Sequence, residues 1–277
     1  MSTQMPAAAP LDVSEASATA CRQRCLRWLQ RNAADRPGRV DWLQRCGSTN
    51  SELLARGRPP QDGAALLTEI QSAGRGRLGR HWLSAPGGSL CLSLSVPWPK
   101  GAADAAGMSL LAGAAVAEVL QALGLEQIKL KWPNDVYLSS AKLGGLLVEF
   151  GGVGPSGFLV IGVGINLDLP DAFWPGQEWI DLRRAGLTVD RAELAARLLE
   201  RLLLLVRLQR EQGLPALLPR WHRFDLLKGQ AVRVRIGDAQ EWVEAEACGI
   251  DERGRLRILM GDVERCYSSA EVSLRPA

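Results

Sequence analysis

From Asp41 to about Phe224 the chain alternates short apolar runs of strand length with longer helical ones, which restricts it to a sheet covered by helices, an α/β or α+β layer. AALLTE (64–69) and SLCLSLSV (89–96) read as strands, GMSLLAGAAVAEVLQALG (107–124) as a buried helix ending at Gly124, and IKLKW (128–132) as another strand. GGLLVEF (144–150) and FLVIGVGINL (158–167) flank a Gly-rich turn and predict a hairpin. Two helices follow, at about 188–211 and 215–224. The last fifty or so residues change character to short strands separated by GD, DERG and GD turns, a small antiparallel barrel or sheet after a boundary near Lys228 to Gln230. Residues 1–16 read as an Ala/Ser/Pro-rich mobile tail, and 17–32 as one amphipathic helix with Cys21, Cys25, Trp28 and Leu29 on its apolar face. The expected organisation is a tail and single helix over 1–40, a main domain over 41–227 and a small domain over 228–277.

Several functional classes are excluded at this level. The net charge is only +3, from 33 Lys+Arg against 30 Asp+Glu, so anion binding must be local rather than the work of a global basic field. The first helix is Arg-rich, but a helix-turn-helix needs further helices before the next element, and Asp35 to Cys46 leaves no room for them. Six cysteines form no CxxC pair, and the histidines are only His81 and His222, so no metal site is expected. Scattered thiols, no recognisable signal peptide, and an apolar run (LLLLV, 202–206) far too short for a bilayer predict a cytoplasmic protein without membrane contact.

Local anion sites are legible in the motifs. Gly152, Gly154 and Gly157 satisfy GxGxxG, yet the pattern contains Pro155 and lies between two strands with no helix for a pyrophosphate; it is a hairpin loop. A better cradle is GRGRLGRHW (74–82), where Gly74, Gly76 and Gly79 free the backbone and Arg75, Arg77 and Arg80 offer three guanidinium forks to phosphate or carboxylate. Trp82 either shields a bound nucleobase or anchors this loop. Of the 33 cations only five are lysines, and Lys129, Lys131 and Lys142 fall within fourteen positions. In KWPNDVYLSSAKLGGLLVE (131–149), Pro133 ends a strand, Asn134 and Asp135 occupy a strand-end turn, and Lys142 precedes Gly144 and Gly145, a bare backbone patch on which a flat ligand can lie. Asn166 ends an apolar strand as a turn residue or a buried amide. Near the start of the layer, Thr49 and Glu52 form a capping box that opens a helix, leaving Ser48 and Asn50 to read a polar ligand head at its mouth.

In order along the chain, STN, Gln71 before SAGRGRLGRHW, KWPND, KLGGLLVE and GVGIN resemble the catalytic domain of the biotin–protein ligase family, and the resemblance extends over about 41–277. It implies an α+β fold, a mixed β-sheet packed with helices of class II synthetase-like type, followed by a small C-terminal SH3-like β-barrel. It also implies ATP and biotin as substrates, with Mg2+ accompanying ATP, giving biotinyl-5′-AMP and then a biotinylated lysine on a biotin carboxyl carrier protein domain of acetyl-CoA carboxylase or a related biotin-dependent carboxylase. Carried over residue by residue, Ser48, Thr49, Asn50, Gln71, Arg75, Gly76, Arg77, Lys142 and Gly145 border biotin. Arg75, Arg77, Arg80, Trp82, Lys131, Asn134, Asn166 and Arg275 serve the nucleotide, and Lys142, Arg77 and Asp135 are the catalytic set, with no protein-bound metal. Bifunctional members carry an N-terminal winged-helix repressor domain; only about 47 residues precede STN here, so the expectation is a ligase without DNA-binding activity. Exposed strand edges are compatible with a homodimer. A lipoate–protein ligase lacks the GRGRxGR and KWPND blocks, and an inert binding regulator could dispense with Lys142 and Asp135.

Overall fold

A computed structural model of the protein describes residues 13–99, 101–102, 105, 107–173, 175–237, 241–269 and 272–276. The main sheet has seven strands in the order β1-β2-β3-β7-β6-β5-β4: β1 (Arg39–Cys46), β2 (Ala64–Gln71), β3 (Ser89–Pro97), β4 (Ile128–Lys131), β5 (Asp135–Leu138), β6 (Ala141–Gly151) and β7 (Phe158–Asn166). β1 and β2 are parallel and every other neighbouring pair is antiparallel, so the sheet is mixed. The GxGxxG segment is the connection of the β6–β7 hairpin.

The two faces of this sheet have different occupants, and the period-two alternation of the strands decides which side chain goes where. Leu90, Leu92 and Leu94 of β3, Ile161, Val163 and Ile165 of β7 and Leu146 of β6 are all buried in one large core with the helices α1 (Glu15–Asn32), α3 (Met108–Ala122), α4 (Arg191–Gln212) and α5 (Leu214–His222). α3 is apolar on nearly every side and buried from Met108 to Leu120, as a helix pressed between a sheet and two other helices must be. α1 buries Ala18, Cys21, Cys25 and Leu29 against α4 and β1, and Arg22 Nε donates to Val40 O on β1 at 2.7 Å. Its basic residues therefore flank a packing helix. An ion pair from Arg191, the first residue of α4, to the buried Glu69 of β2 joins these layers; Trp42 Nε1 donates to the same carboxylate at 2.8 Å and Arg191 Nη2 to Ser17 Oγ at 2.9 Å. On the opposite face the short helix α2 (Thr49–Arg56) is the one described helix that packs, over a small cluster of Leu53, Leu66, Phe158 and Val160, and beside it a broad cleft is left.

The C-terminal region forms a five-stranded antiparallel sheet in the order β11-β10-β9-β8-β12, from β8 (Gln230–Ile236), β9 (Val243–Ile250), β10 (Leu256–Met260), β11 (Val263–Tyr267) and β12 (Val272–Pro276). The segment leading into it lies along β4, Leu130 N donating to Phe224 O at 2.7 Å and Leu226 N to Leu130 O at 2.9 Å, and the Trp132 side chain donates from Nε1 to Gly254 O, between β9 and β10, at 3.0 Å. The peptide between Trp132 and Pro133 is cis. No described helix is long and apolar enough to cross a membrane. One expectation needs correction: Asp135 opens strand β5 instead of lying in the preceding turn. β1 carries no strand expectation from the sequence, its alternation being masked by Arg39, Gln44 and Arg45.

Candidate active site

One extra residue in β6 determines the chemistry of the open face. Asp135 pairs with Gly145 and Val136 with Gly144, but Tyr137 pairs with Lys142, so Leu143 is a bulge with no counterpart on β5. A one-residue bulge reverses the in-and-out alternation of a strand. Leu143 is thereby buried in the core, and Lys142 comes to the same face as Gly145 and Asp135. Lys142 Nζ lies 2.8 Å from Asp135 Oδ1, the two side chains being 17% and 23% exposed. A Cβ on Gly145 would stand 3.6 Å from Lys142 Cε and 3.5 Å from Asp135 Oδ1, so the pair borders the bare patch. Behind it the backbone of Lys142 is clamped: Lys142 N donates to Glu178 O at 3.2 Å, Ile180 N to Lys142 O at 3.0 Å, and Asn166 Nδ2 reaches both Ile180 O (3.0 Å) and Lys142 O (3.4 Å). Asn166 is thus a buried amide that fixes the lysine's strand.

Across the face, the mouth of α2 forms a polar pocket. Ser48, not Thr49, is the N-cap: its backbone is extended and its Oγ accepts from Ser51 N at 3.5 Å. The capping-box expectation for Thr49 and Glu52 is corrected accordingly. Thr49, one residue inside the helix, has an amide with no intrahelical acceptor, and Gln71 supplies one: Gln71 Oε1 accepts from Thr49 N at 2.9 Å and from Thr49 Oγ1 at 3.2 Å. The Asn50 carboxamide is engaged at both ends, Nδ2 donating to Leu147 O (3.1 Å) and Glu149 Oε2 (2.9 Å), and Oδ1 accepting from Ser93 Oγ (2.6 Å). Ser93 Oγ also lies 2.7 Å from Thr49 Oγ1. Gly162 lies directly beneath Asn50, where a side chain would collide with the amide.

The Gly/Arg segment is a small hairpin folded back over this face. Trp82 N donates to Gly74 O at 2.9 Å, Gly76 N to Arg80 O at 2.7 Å, and Arg75 bridges to His81. Leu78 at its tip has a left-handed backbone (φ 54°) and is 72% exposed. The Trp82 indole is the flat group that rests on the bare strands: a Cβ on Gly164 would come within 2.5 Å of Trp82 Cε2, and one on Gly145 within 3.5 Å of Cζ3. Arg75 pairs with Glu149 at 2.5 Å, and Arg80 is exposed at the mouth. Arg77 turns inward, donating to Asn134 Oδ1 (3.4 Å) and to Ser269 O of the C-terminal region (2.9 Å). Burial holds the Arg77 guanidinium below the usual arginine range, opposed by the nearby Asp135 carboxylate.

These walls enclose a cleft of about 1020 Å³. It brings together Ser48, Thr49, Asn50, Gln71, Arg75, Gly76, Arg77, Arg80, Trp82, Lys131, Asn134, Asp135, Lys142, Gly145 and Asn166. Lys131 Nζ sits 5.6 Å from the centre of the Tyr137 ring, whose hydroxyl is pushed up to about 12 by burial and then by Asp135. Arg275 is on β12 opposite Arg233, and its side chain lies outside the described residues. Sequence reasoning missed the wall formed by Phe173 and Trp179, whose rings meet edge to face at 6.0 Å, and by Arg235 of the small sheet, stacked over Trp242. It also missed Cys91, a cleft-lining thiol that burial raises to about 12 and therefore keeps neutral. Ser93 and Glu149 were missed as well, although the polar period-two series Ser89, Cys91, Ser93, Ser95 signals a face that is not plain core.

Residues 42–166 match the model of the biotin/lipoate A/B protein ligase family, which defines the class of fold and site. Residues 229–275 match the biotin protein ligase C terminal domain. The chain belongs to the biotin protein ligase family. It is 40% identical to the bifunctional ligase/repressor BirA of Salmonella typhimurium, over 87% of this chain and 75% of that protein. It is 35% identical to the biotin--[acetyl-CoA-carboxylase] ligase of Mycobacterium tuberculosis, over 84% of this chain and 88% of that one. Among solved structures, it is similar to a biotin protein ligase from Aquifex aeolicus in complex with biotin and ATP, with 27% identity, a TM-score of 0.73, and coverage of 87% of this chain and 100% of that one.

Proposed function

We propose that the protein activates biotin with ATP and transfers it to a lysine of a biotin carboxyl carrier protein domain. The observation that carries this reading is the Lys142–Asp135 pair, turned by the Leu143 bulge onto a side-chain-free patch that faces the Thr49–Gln71 pocket. A ring system with polar edges fits between Ser48, Thr49 and Gln71 on one side and Gly145 on the other, with its acid tail directed to Lys142. In the first step a biotin carboxylate oxygen bonds to the α-phosphorus of ATP and the bond to pyrophosphate breaks. Two anions meet there, so fixed cations at that point stabilise the transition state; Lys142 and Arg77 supply them. In the second step the acceptor amine bonds to the acyl carbon, AMP leaves, and the proton passes to the Asp135 carboxylate. The Gly/Arg hairpin and Trp82 keep water from the acyl-adenylate. Arg75, Arg80, Lys131, Asn134 and Arg275 are proposed to serve the nucleotide side, with Asn166 acting through the backbone of Lys142.

Magnesium travels in this reading with the nucleotide, whose charge it neutralises; among the described residues no group of three or more His, Cys, Asp or Glu side chains is placed to hold a metal. We further propose that the chain works in the cytoplasm without sequence-specific DNA binding, supported by the packing of α1 on α4 and β1, and that the β1 sheet edge is open to a homodimer. A mobility-shift assay at physiological salt and sedimentation analysis test those two points. The main reading is tested with ATP, magnesium, biotin and an acceptor domain. Wild type should release pyrophosphate only with biotin and label the acceptor, and Lys142→Ala should do neither; a wild type that does neither would refute it.

A further inference from the structure

The side chain of Arg75 reaches out from an exposed hairpin and, among the described residues, has one hydrogen-bond and ion-pair partner, Glu149 of β6. Glu149 Oε2 accepts from Arg75 Nη2 at 2.5 Å and from Asn50 Nδ2 at 2.9 Å, so a single oxygen joins the loop to the polar pocket. The amide it leans on cannot turn away. Asn50 is held by Leu147 O, by Ser93 Oγ and by the backbone of Gly162 beneath it, and Ser93 in turn touches Thr49, which is bound to Gln71. The Glu149 carboxylate lies on the same side of β6 as Asn50 and Arg75, and Glu149 is not among the residues lining the cleft.

Resting on the ligase reading, we infer that Glu149 is a positioning residue that holds the Gly/Arg hairpin shut over the activated intermediate. It does so by anchoring Arg75 to the same hydrogen-bonded chain that forms the biotin pocket. Three features carry the inference. The ion pair is the hairpin's side-chain tie to β6, whereas the Arg77 ties run to the Asn134 turn and the C-terminal region. Its geometry is fixed from the pocket side by a fully engaged amide. The Asn50 carboxamide, expected from sequence to read the ligand, is occupied in fixing Glu149 instead. A group acting this way changes how long the intermediate is kept, and leaves the reactivity of the bound intermediate alone.

The test uses the full chain with ATP, magnesium and labelled biotin, and measures release of biotinyl-adenylate in the absence of acceptor, then single-turnover transfer of bound adenylate to an acceptor domain. Losing one charge-assisted hydrogen bond predicts that Glu149→Ala releases the intermediate about tenfold faster or more and raises the biotin KM, with transfer of what remains bound staying within about twofold of wild type. Glu149→Gln, which keeps an acceptor for Asn50 but not the charge, should show a smaller shift in the same direction and guards against a folding defect in the alanine variant. Because the two partners act as one unit, Arg75→Ala should release the intermediate at least as fast as Glu149→Ala, and adding Glu149→Ala to it should speed release no further. Wild-type retention in Glu149→Ala, additive losses, or a parallel fall in transfer rate would each overturn the inference. A wild type that forms no adenylate would instead overturn the ligase reading beneath it.

Discussion

The two walls of the cleft hold their charges by different means. On the β5–β6 wall, Lys142 and Asp135 stand on paired strands, and the lysine backbone is tied to residues 178–180 and to Asn166. On the hairpin wall, Arg75, Arg77 and Arg80 stand on nine residues that fold on themselves, and the hydrogen bonds of Arg75 and Arg77 to the rest of the molecule are one to Glu149 for the first and two, to Asn134 and Ser269, for the second. The first wall is pre-aligned for charge that develops during the reaction, the arrangement electrostatic catalysis requires. The second is built to open and close, since its ties are few and partly exposed. Rate should therefore depend most on the first wall, with Arg77 the hairpin's contribution to it, and retention of the intermediate on the second.

Lys142→Ala is expected to have the largest effect, reducing biotin-dependent pyrophosphate release by about 10²–10³-fold, because it removes a preorganised cation. Lys142→Arg should not restore it, since a planar fork cannot replace an end-on amine beside Asp135. Retention of more than a tenth of wild-type release by Lys142→Ala would break the division between the walls. Asp135→Asn comes next: transfer to the acceptor should fall about 10²-fold, as for loss of a general base, and more steeply than adenylate formation when the two half-reactions are timed separately. Equal losses would make Asp135 a partner of Lys142 and nothing more.

The smaller effects sharpen the comparison through stability. Gly164→Ala places a methyl about 2.5 Å from the Trp82 indole, and overpacking of this kind costs about 1–3 kcal/mol, to be read from thermal melts and a shift in tryptophan emission. Unchanged emission would show that the hairpin wall does not depend on that seat. Ser48→Ala removes the cap of α2 and should cost about 1 kcal/mol in denaturant melts. A Thr49→Ala variant with the larger loss would reverse the assignment of the cap.

What the sequence made legible follows the range of the interaction that decides each feature. The β6–β7 hairpin, the buried helix α3 and the Gly/Arg segment announce themselves locally, through period, composition and turn residues. β1 and β5 do not: β1 carries Arg39, Gln44 and Arg45 on a sheet edge, and β5 is four residues long behind a proline. The cap at Ser48 was misassigned to Thr49 because the contest between them is settled by Gln71, twenty-two positions away. Glu149 looked like one more strand residue, since its role needs Asn50 and Arg75 brought from two other elements. Asn50, Asn134 and Asn166 were recognisable as polar residues at strand ends or helix mouths, but only three-dimensional contacts reveal that their amides hold backbone.

The bulge at Leu143 gives the site a parity. Lys142 stands three residues before Gly145, a step that a regular strand would place on opposite faces, and the bulge at Leu143 brings both to the cleft. Deleting Leu143 would leave a two-residue step, so a regular strand would still present the amine to the cleft while the core lost a fully buried leucine. The amine's facing is therefore set by register, and the bulged residue itself serves the core.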